Sequence, residues 1–518
     1  MKIQYFLIPV VLLLGTGHSF SQTSPDEIQF IRQGVSRPVF DPSQSISLAS
    51  MHPGEIIGFP SMYPIKHNYP VEAEVSVRNE KLFINARKET LTNIWFGGFN
   101  PFSTYFVDLK SVAGKGEIGF EFSDAGNKHR FIVYVAFNDE NIEDIRLEVR
   151  AEDKQVFAGS VDTGTDTRLK PESQLIVQML GSGFTVYVRN KGLPSVIGQG
   201  EFSQYLDLRK IELIRSLQSH LYVKLQSGTV VIERVESALT TGIGLADIRA
   251  ITYENGEPFL DQGRIWYTMS IRGRALPHHL QGVFSLKPGV FDLRLEGVIV
   301  FDRGDGLWRN EIASHIFYDR HTQSWKGITT GFSAFANPDP EEKQLLAVSS
   351  ETDPRFGFSV MKADPMGMVG NIEDPHIIYD EPAGKWRMIA CENISGFKAV
   401  LLESDQWNAH YKRIAGPSVH DATGTSIQRI DGTLYCFSGS KEREIFIYSY
   451  PDMKEAGTLK MDLPPWDPEA GTRVWPNVLQ LPEGYPVRYI ALMMDRYNYP
   501  GLKGPNWTYG AVYLYHGH

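Results

Sequence analysis

The sequence predicts an all-β protein, an N-terminal β-sandwich followed by a five-bladed β-propeller, and two observations carry that prediction. Over residues 40–237 apolar and polar residues alternate in short segments such as "VEAEVSVRNEKLFINA" and "GEIGFEFSDAGNKHRFIVYVAF". These segments are rich in β-branched and aromatic residues and are separated by Gly, Asn or Asp turns; a period of two buries one face and wets the other. Over residues 243–518 a unit recurs instead: a polar or small residue, an apolar strand, a turn with Asp, Gly or Pro, and a second apolar strand. Asp247, Ala313, Asp374, Gly424 and Trp475 align as the leading positions of five such units, about 50 to 66 residues apart. That length suits a four-stranded propeller blade with its loops.

Taken in order, residues 1–21 read as a signal peptide. Lys2 is the only charge, an apolar run extends from Phe6 to Leu14, and the segment ends in "SFS", small residues at the positions a signal peptidase reads. The run is far short of the ~20 residues that span a bilayer, and no cysteine follows it to carry a lipid. The expectation is a secreted or periplasmic chain with no membrane span. The sandwich is lectin-like or jelly-roll in type, with a supporting or sugar-binding role. "ESALTTGIGLADIRA" marks the boundary to the propeller.

Composition narrows the function classes. A net charge of −10 over 518 residues, with no basic run to offset it, argues against nucleic acid as a partner. Aromatic residues make up 12% of the chain, which suits sugar-facing surfaces and β-rich cores equally. The only two cysteines, Cys391 and Cys436, are too few for a disulfide framework and lack zinc spacing. They read as small buried residues, and whether they pair stays open. No Walker A, HExxH or GxSxG motif occurs, and "FDRGDGLWRNE" reads as a polar hairpin turn rather than a Ca²⁺ loop. Neither a metal nor a cofactor is expected.

The chemistry is expected at the propeller axis. The first strand of every blade lines the central channel, so residues at leading positions converge although they are far apart in sequence. Asp247 in "LADIRA" and Asp374 in "IEDPHIIYDEPAGKW" occupy two such positions. Two carboxylates in one concave site, one ionised and one with a raised pKa, are what glycosidic cleavage requires.

On these residues the second half of the chain resembles the five-bladed glycoside hydrolases of families 43, 32, 68 and 130. The resemblance to family 43 implies a general base at Asp247 and a substrate-orienting, pKa-tuning partner at Asp374. Family 32 has "RDP" where this chain has "EDP", with Glu373 in place of the Arg, and family 130 has an "EDPR"-like segment where this chain has "EDPH". The main departure is at the fourth leading position. Family 43 supplies its general acid as a Glu at a later blade, and "ATGTSIQ" has no carboxylate at the aligned position. Glu392 in "ACENISG" is assigned as the acid, with Glu311 in "RNEIASH" and Asp421 in "HDATGT" as the other candidates.

Further polar groups complete the expected site. Arg249 lies two residues beyond Asp247, on the same side of the strand, where it can pair with a carboxylate. His278 and His279 in "ALPHHLQG" read as a sugar-contacting or solvated loop, since no carboxylate stands at ligand spacing. Trp475 can stack on a sugar ring or fill the core. His315 and His376, one step past the leading positions of neighbouring blades, read as packing residues. The segment Tyr497 to Gly510, "YNYPGLKGPNWTYG", reads as an aromatic rim. Together these features point to an exported glycoside hydrolase. The alternatives are a glycan-binding protein that has lost its acid, and a family-130-like phosphorylase, which export disfavours. Three carboxylates in one funnel favour hydrolysis, whereas two basic groups beside one Asp favour phosphorolysis.

Overall fold

The computed structural model describes residues 23–518 apart from 57, 68–71, 164–167, 274–278, 334–340 and 504–508. The signal peptide expected over 1–21 and His278 lie outside the described residues. Within them the protein is nearly all β, and no helix is long and apolar enough to cross a membrane.

The sandwich is organised by two long strands, Thr104–Ser123 and Gln218–Leu239, which pair antiparallel over most of their length. The first half of Thr104–Ser123 pairs with Gln174–Met179 and its second half with Arg130–Asn138, so one strand serves two parts of the sheet system. The corner falls where Gly114 is register partner to Gly228, both at positive φ. A Cβ on Gly228 would sit 2.0 Å from the Ala113 carbonyl oxygen, so the crossing requires glycine there. An aromatic cluster including Phe99, Phe120, Phe122, Phe131 and Tyr105 fills the interior.

Five blades surround the propeller axis, with innermost strands Gly244–Ala250, Ile312–Asp319, Ile372–Asp380, Thr423–Ile430 and Val478–Gln480. Blades one and two are joined at their outer edges by parallel pairing of Asp292–Asp302 with Gly357–Val369. The fifth blade contains a strand that the sequence left unassigned: Gln29–Ser36 pairs antiparallel with Val512–Gly517, outside Tyr489–Met494 and Val478–Gln480. The segment thus ties the first described part of the chain to the last, and covers an edge that would otherwise offer unpaired N–H and C=O groups.

Sandwich and propeller share apolar contacts. Phe102 and Leu180 of the sandwich belong to the cluster under blade one, and Phe40 and Tyr187 pack with Tyr499 and Leu502. Backbone hydrogen bonds from Trp308 to Arg209 and from Ile211 to Gly306 cross the same boundary. The Tyr497–Gly510 segment is corrected here. Tyr499 is buried and donates to the Pro194 carbonyl at 2.6 Å, so this part of the segment seals the sandwich against the propeller instead of forming an open rim.

Candidate functional site

A cavity of about 520 Å³ opens where the leading positions converge, a volume suited to a small ligand. It is lined by Asp247, Asp374, Ala313 and Trp475 from the leading positions, and by Glu373, Arg473, Arg496 and Lys441 around them. The aligned residues share more than a place in the repeat. Asp247, Ala313, Asp374 and Gly424 all adopt left-handed backbone, with φ of 50°, 57°, 58° and 60°. In each blade the pairing of the innermost strand slips at that residue. A bulge of this kind sets two residues against one on the partner strand and re-aims the side chains beside it. Glu373 and Asp374, consecutive in sequence, therefore both line the cavity instead of pointing to opposite faces.

Each carboxylate has its own support. Asp247 accepts from Arg272 at 2.7 Å, and Arg272 in turn contacts the ring of His279. His279 is thereby corrected from a solvated loop to a buried prop: its own carbonyl accepts from Asn310 at 2.7 Å, which fixes it from the other side. The Asp374 carboxylate accepts from the Gly424 N–H at 2.9 Å and the Thr423 hydroxyl at 3.2 Å. Burial pushes Asp374 above the usual carboxylate range, although Arg249 and the Gly424 N–H oppose the shift. Glu373 pairs with Lys343. Burial, helped by the charge of Asp374 and opposed by Lys343, raises Glu373 to about 7.

Arg249 reaches across the axis but does not grip a carboxylate. It donates to the Asp374 carbonyl at 2.7 Å and to the carbonyl of Thr425, tying blade one to blades three and four. The Trp475 ring lies over its guanidinium, 4.8 Å from the centroid, and the Trp475 N–H donates to the Ile248 carbonyl at 2.7 Å. Trp475 is therefore a buried wall of the cavity, held on its other side by close approach to Gly424. Deeper in the channel His315 and His376 stack at 3.9 Å. Burial holds both well below the usual imidazole range, His315 at about 3. Each accepts backbone N–H bonds from the next blade, so they work as neutral packing groups.

Three residues expected at the reaction centre stand elsewhere. Glu392 is register partner to Ile372, and pairs at the surface with Arg413, outside the cavity lining. Its neighbour Cys391 faces Glu373 in the ladder, and strand alternation sends Glu392 the other way. Glu311 is fully buried and satisfied by the Ser333 hydroxyl at 2.6 Å and N–H at 2.8 Å, with Arg303 at 3.3 Å. Burial raises its pKa. Asp421 forks onto Arg473 at 2.9 and 3.1 Å; it positions a lining residue and does not line the cavity itself. Cys391 and Cys436 are free and buried. Among the described residues, no group of three or more His, Cys, Asp or Glu side chains could hold a metal ion.

Sequence reasoning missed Glu373 as a lining acid, together with Lys343, Arg473 and Arg496. Arg473 had a usable signal, since it lies two residues before the fifth leading position. Glu373 had none, because strand alternation places it opposite Asp374 until the bulge is known.

No protein-family model and no curated protein matches the chain. Comparison with solved structures returns glycoside hydrolases, at low identity and with partial coverage of this chain. The GH43_1 enzyme from Xanthomonas citri complexed with xylotriose is 11% identical with a TM-score of 0.38, covering 53% of this chain and 87% of that one. Zg3597, a family 117 glycoside hydrolase from the marine bacterium Zobellia galactanivorans, is 10% identical with a TM-score of 0.36, covering 53% and 91%. SCLam, a non-specific endo-β-1,3(4)-glucanase from family GH16, is 10% identical with a TM-score of 0.28, covering 41% and 95%.

Proposed function

We propose that the protein is an exported glycoside hydrolase whose reaction centre is the cavity shared by Asp247, Asp374 and Glu373. The observation that carries the reading is the gathering of three carboxylates in different environments. Asp247 stands in an ion pair with Arg272, Asp374 is fixed by Gly424 and Thr423, and Glu373 is held near neutrality. An acid whose pKa lies near the working pH is a suitable proton donor. In this assignment Glu373, not Glu392, protonates the leaving glycosidic oxygen. Lys343 then stabilises the carboxylate left behind, Asp247 activates the incoming nucleophile, and Asp374 orients the sugar. A second reading, glycan binding without cleavage, is favoured by the fourth leading position, where Gly424 offers no side chain.

The test is release of sugar from a panel of plant, algal and host glycans by the purified mature chain. Wild type, Glu373→Gln and Glu392→Gln are compared from acid to alkaline pH. Wild-type release is expected to fall as pH rises through about 7, where Glu373 loses its proton. Glu373→Gln removes the activity, and Glu392→Gln keeps the wild-type profile. Measurable glycan binding with no release by wild type at any pH would replace hydrolysis with the binding reading.

A further inference from the structure

The cations of the cavity form one connected platform. Asp421 receives the Nε and Nη2 of Arg473 and also accepts the backbone N–H of Lys441 at 3.2 Å. The Arg473 carbonyl accepts from Nε of Arg496 at 2.8 Å. Lys441, Arg473 and Arg496 thus come from three separate segments and are locked to one another by hydrogen bonds, and all three line the cavity. Nη1 of Arg473 takes no part in the Asp421 fork.

Two of the three reacting carboxylates are already ion-paired inside the protein. Arg272 pairs with Asp247, Lys343 pairs with Glu373, and Arg249 stands behind Asp374. The platform brings three cations to the wall, of which Arg473 is balanced by Asp421. Glu469 is the one further carboxylate among the described lining residues, and it is exposed. Burial pulls Arg496 down to about 10, the response of a guanidinium moved out of water. A cation-rich wall is distinctive in a chain whose net charge is −10, and a charged group facing it is recognised by charge-assisted hydrogen bonds.

We propose that Lys441, Arg473 and Arg496 form an anion subsite beside the three carboxylates, so that the glycan cleaved here carries a negative group, a uronate carboxylate or a sulfate ester. The inference rests on the hydrolase reading for its reaction but not for its binding. Inorganic phosphate offers the same chemistry to the platform, and the experiment separates the two sources.

Oligosaccharides bearing uronate are compared with their carboxyl-reduced counterparts, and sulfated with desulfated ones, for binding and for cleavage, with and without inorganic phosphate. Wild type is expected to favour a charged member by about tenfold or more in binding and in kcat/KM, with a preference that shrinks as salt rises. Lys441→Glu, at an exposed position that folding tolerates, and Arg473→Gln should both collapse the ratio of charged to neutral. Equal treatment of charged and neutral glycans by wild type, with cleavage intact, overturns the anion subsite and leaves the hydrolase standing. Preferential binding of the charged glycan that the variants lose, with no cleavage of either, supports the subsite and removes the hydrolase. Release that requires phosphate and yields a sugar phosphate assigns the platform to phosphate and overturns the anionic glycan.

Discussion

Blades one and three differ from blades two and four at a single structural position, and the difference separates architecture from chemistry. All four have a left-handed residue and a register slip at the start of the innermost strand. The residue is Asp247 or Asp374 in one pair and Ala313 or Gly424 in the other. Left-handed backbone costs a non-glycine residue roughly 1–2 kcal/mol, and such outliers are often read as marks of function. Here that reading fails for the backbone alone, because Ala313 carries the same conformation with nothing to react. All four blades share the turn whatever residue stands on it, and in the proposed reading the side chain placed on it is what gives two of them a part in the chemistry.

The largest effect expected from this contrast is on catalysis. Asp374→Asn and Asp247→Asn keep a side chain that tolerates left-handed backbone and remove the charge. Each should lower kcat/KM by roughly 10²–10⁴-fold, with an unchanged circular dichroism spectrum. Glu392→Gln, a similar loss of charge outside the cavity, should leave turnover near wild type. Turnover that survives Asp247→Asn but not Glu392→Gln would invert the comparison and return the acid to the surface of blade three.

Next in size is the fourth blade, where the aligned position cannot accept a side chain as the structure stands. A Cβ at Gly424 would lie 2.5 Å from Cδ2 of Trp475, and φ there is 60°. Gly424→Ala should therefore cost about 2–4 kcal/mol, from overpacking and left-handed strain together. The measurement is the midpoint of urea unfolding followed by tryptophan fluorescence. A neutral result would mean that Trp475 moves freely, and that the empty fourth position is not enforced by its neighbour.

How much of this was legible follows from the same bulge. The repeat pattern located Asp247, Ala313, Asp374 and Gly424 because a polar or small residue before an apolar strand is a local signal, and those four do share one conformation. Trp475 joined them on spacing alone and has no positive φ. It fills the cavity wall by virtue of the missing Cβ at Gly424, a contact between blades that spacing cannot show. Gln29–Ser36 escaped notice because its place depends on pairing with Val512–Gly517 at the other end of the chain. Glu373 was not legible as a lining acid, because simple alternation sends it away from Asp374. A single backbone dihedral reverses that geometry, and nothing in the residue types announces it.

The smallest effect sharpens the comparison most, because it measures the strain without touching the chemistry of an Asp. Ala313 is buried, 1% exposed, in the cluster under blade one, and Ala250, 2% exposed, belongs to the same cluster on ordinary strand backbone. Replacing either by Gly forfeits about 0.8 kcal/mol of methyl burial, and adds unfolded-state freedom worth about 0.4–1 kcal/mol. At Ala313 the same change also relieves the roughly 1–2 kcal/mol of left-handed strain. Ala250→Gly should therefore destabilise by about 1.5 kcal/mol, whereas Ala313→Gly should fall within about 0.5 kcal/mol of wild type, both read from paired urea midpoints. Equal losses at the two positions would show that Ala313 rests without strain, and that the left-handed turn is no burden the blade must overcome. Unequal losses in the expected direction would mean that blade two maintains the turn at a cost for architecture alone, which is the condition under which an Asp at the same place in blades one and three is chosen for what it does.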